Sequence, residues 1–285
     1  MSARTPDVPL PRRRSGREHL VGRGLIYLAA ILLALFILVP IYLIAVSAFT
    51  PPDRAFEFPR RLVPAEVNFE TIIFFLNAFG VIDSFWRSVI VAIITLVLAL
   101  LIGAPAGYAI ARYAFRGRSS YRLVILSTRA FPIVILAIPL AVTYRLWGIN
   151  DSVIGVALMH TALALPFTVL ITSSVFVSVP RELEEAAQTL GCNPLQAFVK
   201  VSLPLALPGL AAAAIFTWVL SWNDVFAAVI LTLQNPTLPA RILTALTQSP
   251  IYFQFAAGFV MLVPSLVVIF FIRKYLLGLW GRVVK

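Results

Sequence analysis

The stretch Glu184–Pro204, EEAAQTLGCNPLQAFVKVSLP, decides how this chain is read. It is polar, yet it lies between two apolar segments long enough to cross a bilayer. Pro180, just upstream, suits the first position of a helix, where its missing N–H costs nothing. Glu182, Glu184 and Glu185 follow in the opening turns, where the helix macrodipole favours negative charge. Gly191 is placed to end that helix in a left-handed conformation. Asn193 then caps a second helix begun by Pro194, and Leu203-Pro204 with Pro208 predicts a break or kink as the next apolar segment begins. Leu183, Ala186, Ala187 and Leu190 fall at i, i+3, i+4 and i+7, one apolar stripe, and Leu195, Phe198 and Val199 share a face of the second helix. Two short amphipathic helices around a glycine elbow suit a groove on a partner or a bed of lipid headgroups. The acids of the first helix disfavour the anionic inner leaflet, which favours a protein partner.

Outward from that insert, the chain reads as a membrane protein. Of its 285 residues 60% are hydrophobic and 12% charged, against about 25% charged in a soluble domain. Six segments approach the roughly 20 apolar residues that a spanning helix needs: Leu25–Phe49, Phe85–Ala111, Leu123–Val142, Val153–Val177, Ala206–Leu231 and Phe253–Ile272. The first follows a basic tail without a small-residue cleavage site, so it reads as a retained anchor and not a cleaved signal peptide. The fold expected is an all-α integral membrane protein with a basic N-terminal tail (1–24), a six-span domain (25–272) and a basic C-terminal tail (273–285). The polar insert, residues 178–205, joins spans four and five.

Charge sets the orientation. The net charge of +11 comes from 20 Arg and 3 Lys against 12 acids. Sixteen of these cations lie in the two tails, in the loop after the second span (Arg112, Arg116, Arg118, Arg122) and in the insert (Arg181, Lys200), whereas the opposite loops hold Arg54, Arg60, Arg61, Arg145 and Arg241. The positive-inside rule then places both termini and the insert in the cytoplasm. Because the charge is spread over short loops, it reads as membrane orientation and lipid contact, with no nucleic acid as partner. The outer side carries residues 51–84, with five acids, and the proline-bearing loop Leu233–Tyr252; these are solvated connectors or a docking surface for an external partner. The single Cys192 excludes an internal disulfide and a multi-cysteine metal site.

Glu185-Ala186-Ala187, three residues, Gly191, nine residues, then Val201-Ser202-Leu203-Pro204 resembles the EAA signature, EAA-x3-G-x9-I-x-LP, of importer-type ABC transporter permeases, with Val201 in place of isoleucine. Trp222-Asn223-Asp224 in the fifth span and the basic tail around Gly278-Leu279 resemble the maltose-type class, which serves sugars, oligosaccharides, polyols and glycerol phosphates. The resemblance implies alternating access in a cytoplasmic (inner) membrane of a bacterium or archaeon. It implies a second, usually different, permease subunit, two copies of a cytoplasmic ATPase that use ATP and Mg, and an extracytoplasmic solute-binding protein. It makes Glu184, Glu185, Ala186, Ala187, Gly191, Leu203 and Pro204 the ATPase-coupling loop, with Glu185 and Gly191 at the motif's central positions. This chain itself should bind no cofactor and catalyse no reaction. A Walker A loop needs Gly-Lys followed by Ser or Thr, and Lys200, Lys274 and Lys285 follow Val199, Arg273 and Val284.

Ionisable groups inside spans suggest function by default. In the fifth span Thr217, Ser221 and Asp224 fall on one stripe beside Trp218 and Trp222, while Asn223 points about 100° away from Asp224. The stripe could line a substrate pathway, with aromatic faces suited to a sugar, or could glue helices together. Arg129, near Pro132, could face a water-filled cavity or bind an anion, or could snorkel to the inner surface. His160 has no acid near it in sequence and reads as a structurally satisfied residue. A membrane-embedded enzyme would need a convergent constellation such as HExxH, and His19 and His160 are the only histidines. A secondary transporter should show inverted repeats or more coupling charges, and neither is visible.

Overall fold

A computed structural model describes residues 16–54, 57, 62, 63, 66–78, 80–246 and 249–280. The tail arginines Arg4, Arg12, Arg13, Arg14 and Arg282, the loop residues Arg60 and Arg61, and Lys285 lie outside the described residues, as do parts of the two outer loops. Every regular element among the described residues is helical: α1 (Gly16–Ala48), α2 (Glu70–Asn77), α3 (Val81–Arg112), α4 (Arg118–Ser127), α5 (Ile133–Leu146), α6 (Val153–Ser178), α7 (Arg181–Thr189), α8 (Pro194–Ala197), α9 (Leu203–Asn223), α10 (Phe226–Leu231), α11 (Leu238–Leu246) and α12 (Ile251–Trp280).

Among the described residues five helical stretches are long and apolar enough to cross a membrane: 22–48, 81–112, 153–178, 194–223 and 251–273. The third expected span, Leu123–Val142, is not one straight helix. Its place is taken by a pair, Arg118–Ala130 and Ile133–Leu146, bent by 85°, a broken span or a re-entrant loop. The break falls at Phe131-Pro132, where Phe131 takes ψ 121° and Pro132 ψ 134°; a residue before proline is forced out of the helical region.

The fifth span departs from Ala206–Leu231 at both ends. It starts at Pro194 and runs unbroken past Leu203-Pro204 through a π-helical turn, Phe198–Ser202, in which the Leu203 N–H donates to the Phe198 carbonyl. Pro204 has no N–H to give, and widening the turn by one residue keeps the helix continuous where a break or kink was expected. At its far end the helix stops at Asp224, which is extended at ψ 128°, and restarts as α10. The last span, 251–273, agrees with the expected Phe253–Ile272, and its helix, α12, runs on to Trp280.

Small residues decide the packing. Ala99, Gly103, Gly107 and Ala111 recur every fourth position along α3 and are all buried against α6 or its end. A Cβ at Gly103 would come within 2.7 Å of the Thr168 methyl, and one at Gly107 would run into Thr172 and the backbone of Ser173. The backbones therefore touch closely enough for Thr172 to donate to the Gly103 carbonyl at 2.9 Å, the close approach that small residues permit in membranes. α9 packs on both α3 and α6, with Gly209 against Val175, and α12 covers α9. α1 touches the rest chiefly through α12 and exposes apolar side chains on all sides, as a lipid-facing helix does.

Candidate functional site

Local capping chemistry builds the insert. Pro180 stands one place earlier than expected, at the N-cap of α7. Gly191 adopts φ +94°, and the N–H groups of Gly191 and Cys192 close onto the carbonyls of Gln188 and Ala187 at 3.0 Å each. That is a Schellman end, which requires a left-handed residue at this position. Asn193 and Gln196 then exchange hydrogen bonds, 2.8 Å and 3.0 Å, as a capping box on α8.

α7 turns one charged side chain, Glu184, toward the protein and leaves its leucines outward. Leu190 is 87% exposed and Leu195 70%, with Leu183, Ala186 and Val199 exposed beside them, whereas Glu184 is only 5% exposed. Glu185 also points outward. The expected Leu195–Phe198–Val199 face splits: Phe198 turns inward onto Tyr108 (4.5 Å between ring centroids) and Phe176 (5.8 Å).

The buried Glu184 is held from α3. Tyr108 Oη donates to Oε2 at 2.9 Å and Arg112 Nε to Oε1 at 2.7 Å, completing an ion pair. Arg112 also donates to the Val179 carbonyl at 2.9 Å. Arg181, at the start of α7, reaches back to the terminal carbonyls of α3, Ala111 at 3.2 Å and Arg112 at 3.0 Å. Burial alone would raise the Glu184 carboxyl, but the Ser202 hydroxyl beside it, Arg112 and Tyr108 together outweigh burial and hold it below its ordinary value. Of these, Ser202 Oγ lies outside standard hydrogen-bond geometry.

Within the spans, α3, α6 and α9 bring a second set of polar groups together. His160 is fully buried, with Nδ1 2.9 Å from Ser221 Oγ and Nε2 3.1 Å from Asp224 Oδ2. Ser221 leads on to Thr95 on α3 at 3.4 Å, and Thr217 meets Thr168 at 3.1 Å. Asp224 Oδ2 also accepts from the N–H groups of Ala227 and Ala228, at 3.1 Å and 3.3 Å, and so caps α10. Among the described residues Oδ1 accepts no hydrogen bond, and Asp224 lines a cavity of about 520 Å³ whose other charged wall is Arg129. Arg129 donates to the Leu163 carbonyl at 2.8 Å and lies 4.2 Å over the Phe167 ring.

The expected stripe therefore divides. Thr217 and Ser221 join helices, Asp224 both joins helices and faces the cavity, and Trp218 and Trp222 stack on one another, 5.7 Å apart, inside the core. Trp222 donates to the Met261 carbonyl at 3.0 Å, so neither indole presents a face to the cavity. Asn223 points to a different cavity, between α1, α9 and α12. Sequence reasoning missed three contributors. Tyr108 and Arg112 read as the end of a span, though their i, i+4 spacing puts both on one face, and nothing local ties His160 to an acid 64 residues away. Among the described residues no group of three His, Cys, Asp or Glu side chains gathers as a metal site. Asp151, at φ +52°, accepts from the N–H groups of Leu233, Gln234 and Asn235 at 2.8–3.1 Å and clips two loops together.

Comparison with known proteins adds a second line of evidence. A family model described as "Binding-protein-dependent transport system inner membrane component" matches residues 99–277. The chain is 34% identical, over 79% of its length and 85% of the relative's, to the trehalose transport system permease protein SugB of Mycobacterium tuberculosis. It is 32% identical to the diacetylchitobiose uptake system permease protein NgcG of Streptomyces coelicolor, over 87% of this chain and 84% of that one. A chain in the crystal structure of a bacterial ABC transporter involved in import of the acidic polysaccharide alginate shares the fold. Its TM-score is 0.69 at 22% identity, over 93% of this chain and all of that one.

Proposed function

The chain belongs to the family of binding-protein-dependent transport system inner membrane components, as a multi-pass permease subunit of an ABC importer, and from that premise we propose that its cargo is a sugar, an oligosaccharide or a related polyol. The relatives named for trehalose and diacetylchitobiose transport support this cargo class. In this reading α7 and α8, held on the cytoplasmic side with both termini, form the coupling loop, and their outward leucines and Glu185 seat in a cleft of an ATPase subunit. The observation that carries it is the inverted face of α7. A polar loop that buries one of its three glutamates, Glu184, and exposes Leu183 and Leu190 is built for a partner. Two ATPase copies bind ATP and Mg, a second and different permease completes the pathway, and an external binding protein delivers the solute.

The Arg129–Asp224 cavity supplies one wall of that pathway. A carboxylate oxygen and a guanidinium facing the same space offer an acceptor and donors to hydroxyl groups. The decisive experiment expresses the chain with its neighbouring gene products and reconstitutes whatever complex co-purifies. An ATPase subunit should accompany it, and ATP-driven uptake should appear for a sugar or polyol that raises the melting temperature of the external binding protein. Purification without an ATPase would end the coupling reading, and uptake confined to amino acids or peptides would end the cargo class.

A further inference from the structure

α7 is tied to the bundle unequally at its two ends. Its C-terminal end passes through Gly191, which lies at φ +94° with nothing within 4 Å of a would-be Cβ, an elbow open to bending. Its N-terminal end follows α6 after only Val179 and Pro180. A two-residue connector fixes distance but leaves the angle between α6 and α7 free to swing. What removes that freedom is a set of side chains from both sides of the joint: Tyr108 and Arg112 on Glu184, Arg112 on the Val179 carbonyl, and Arg181 on the last carbonyls of α3.

We propose that Tyr108 and Arg112 are positioning residues that clasp Glu184, so that α7 and the cytoplasmic end of α3 move as one body and a push on α7 reaches the core through α3. This rests on the reading of α7 as the ATPase seat. The choice of groups favours direction over mere adhesion. A buried ion pair adds little net stability over well-packed apolar side chains, but charge-assisted bonds fix orientation. Here both carboxylate oxygens are engaged, by a phenol and a guanidinium one helical turn apart on α3. The receiving helix suits the role, because α3 is packed backbone-close to α6 along Gly103 and Gly107 and also touches α9. The three helices that hold His160, Ser221 and Thr95 are thereby reached from one point.

The test uses the complete transporter in proteoliposomes and reads solute delivered per ATP hydrolysed, together with the amount of ATPase subunit retained. Arg112→Ala should keep the ATPase subunit bound while solute per ATP falls at least about fivefold, the low end of ordinary coupling strengths. Tyr108→Phe, which removes one hydrogen bond and leaves the ion pair, should lower the ratio less. The exchange Arg112→Glu with Glu184→Arg should recover part of the loss that either reversal alone produces. A clasp that only stabilised the fold would lower the yield of transporter and leave the ratio unchanged, and an unchanged ratio in Arg112→Ala overturns the proposal. Should that variant fail to assemble, an unchanged ratio in Tyr108→Phe overturns it instead. If the wild-type chain retains no ATPase subunit, the docking reading fails first. If wild type and variants retain it alike at equal ratios, only the clasp fails.

Discussion

Two acid–base pairs cross between helices here, and they are built to different ends. Glu184 and Arg112 meet at the polar insert with both carboxylate oxygens engaged. Asp224 and His160 meet among the spans through Oδ2 alone, and among the described residues Oδ1 accepts no hydrogen bond, while Asp224 lines the cavity that Arg129 shares. One pair uses both carboxylate oxygens to hold two elements at a fixed angle. The other gathers its contacts on one oxygen, where it holds a broken helix together. Engagement of both oxygens separates a joint from a site.

The joint should show the larger stability effect. Glu184→Gln leaves Arg112 buried without its counter-charge, and breaking a buried pair from one side costs about 3–5 kcal/mol. The double change Glu184→Leu with Arg112→Met should return most of that, because replacing both partners removes the unpaired charge. Thermal unfolding of the purified chain in detergent reads both. If the single and double variants lose equally, Glu184 and Arg112 are not acting as a pair.

Asp224 should matter less to stability and more to transport. Asp224→Ala removes the cap of α10 and a partner of the His160 ring, each worth about 1–2 kcal/mol. Asp224→Asn keeps an acceptor for Ala227 and Ala228 and should unfold nearly as wild type does. Both should cut uptake, since each removes the charge that faces the cavity. Uptake at the wild-type rate in Asp224→Asn would make Asp224 a second joint and erase the contrast.

Acid separates the pairs more gently. The folded Glu184 carboxyl lies below its ordinary value, so on acidification the unfolded chain takes up that proton first. The contribution is complete above the ordinary carboxylate range and is lost as pH falls below that range, through the folded value. The melting-temperature gap between wild type and Glu184→Gln should therefore be flat near neutrality and close at the acid end.

What the sequence disclosed follows the range of the forces involved. The capping box of Asn193 and Gln196 and the left-handed Gly191 are set within a few residues, and the spans by length and apolarity, so these were legible. The π-helical turn at Phe198–Ser202 was not. Pro204 announces a missing N–H, but whether the chain breaks or widens there depends on Phe198 packing against Tyr108 and Phe176 from other helices. The pairs Arg112–Glu184 and His160–Asp224 are 72 and 64 residues apart, and no local period links them. Trp218 and Trp222 lie within two helical turns of Asp224, yet neighbours on α2, α3 and α12 draw them into the core.

The smallest stability effect should come from Leu190→Ala, and it tests the outward side of the joint. Leu190 is 87% exposed, so the isolated chain should unfold within about 0.5 kcal/mol of wild type, as surface substitutions do. The ATPase subunit, however, should be lost on washing, because an apolar side chain exposed on a polar loop has its packing partner elsewhere. The two readouts should move in opposite order to those of Glu184→Gln, where stability falls first. That reversal separates the inner face of α7, which sets its angle, from the outer face, which engages the partner. If Leu190→Ala keeps the ATPase as firmly as wild type, the seat of that subunit lies on other residues, with Glu185 and Leu195 the next to replace.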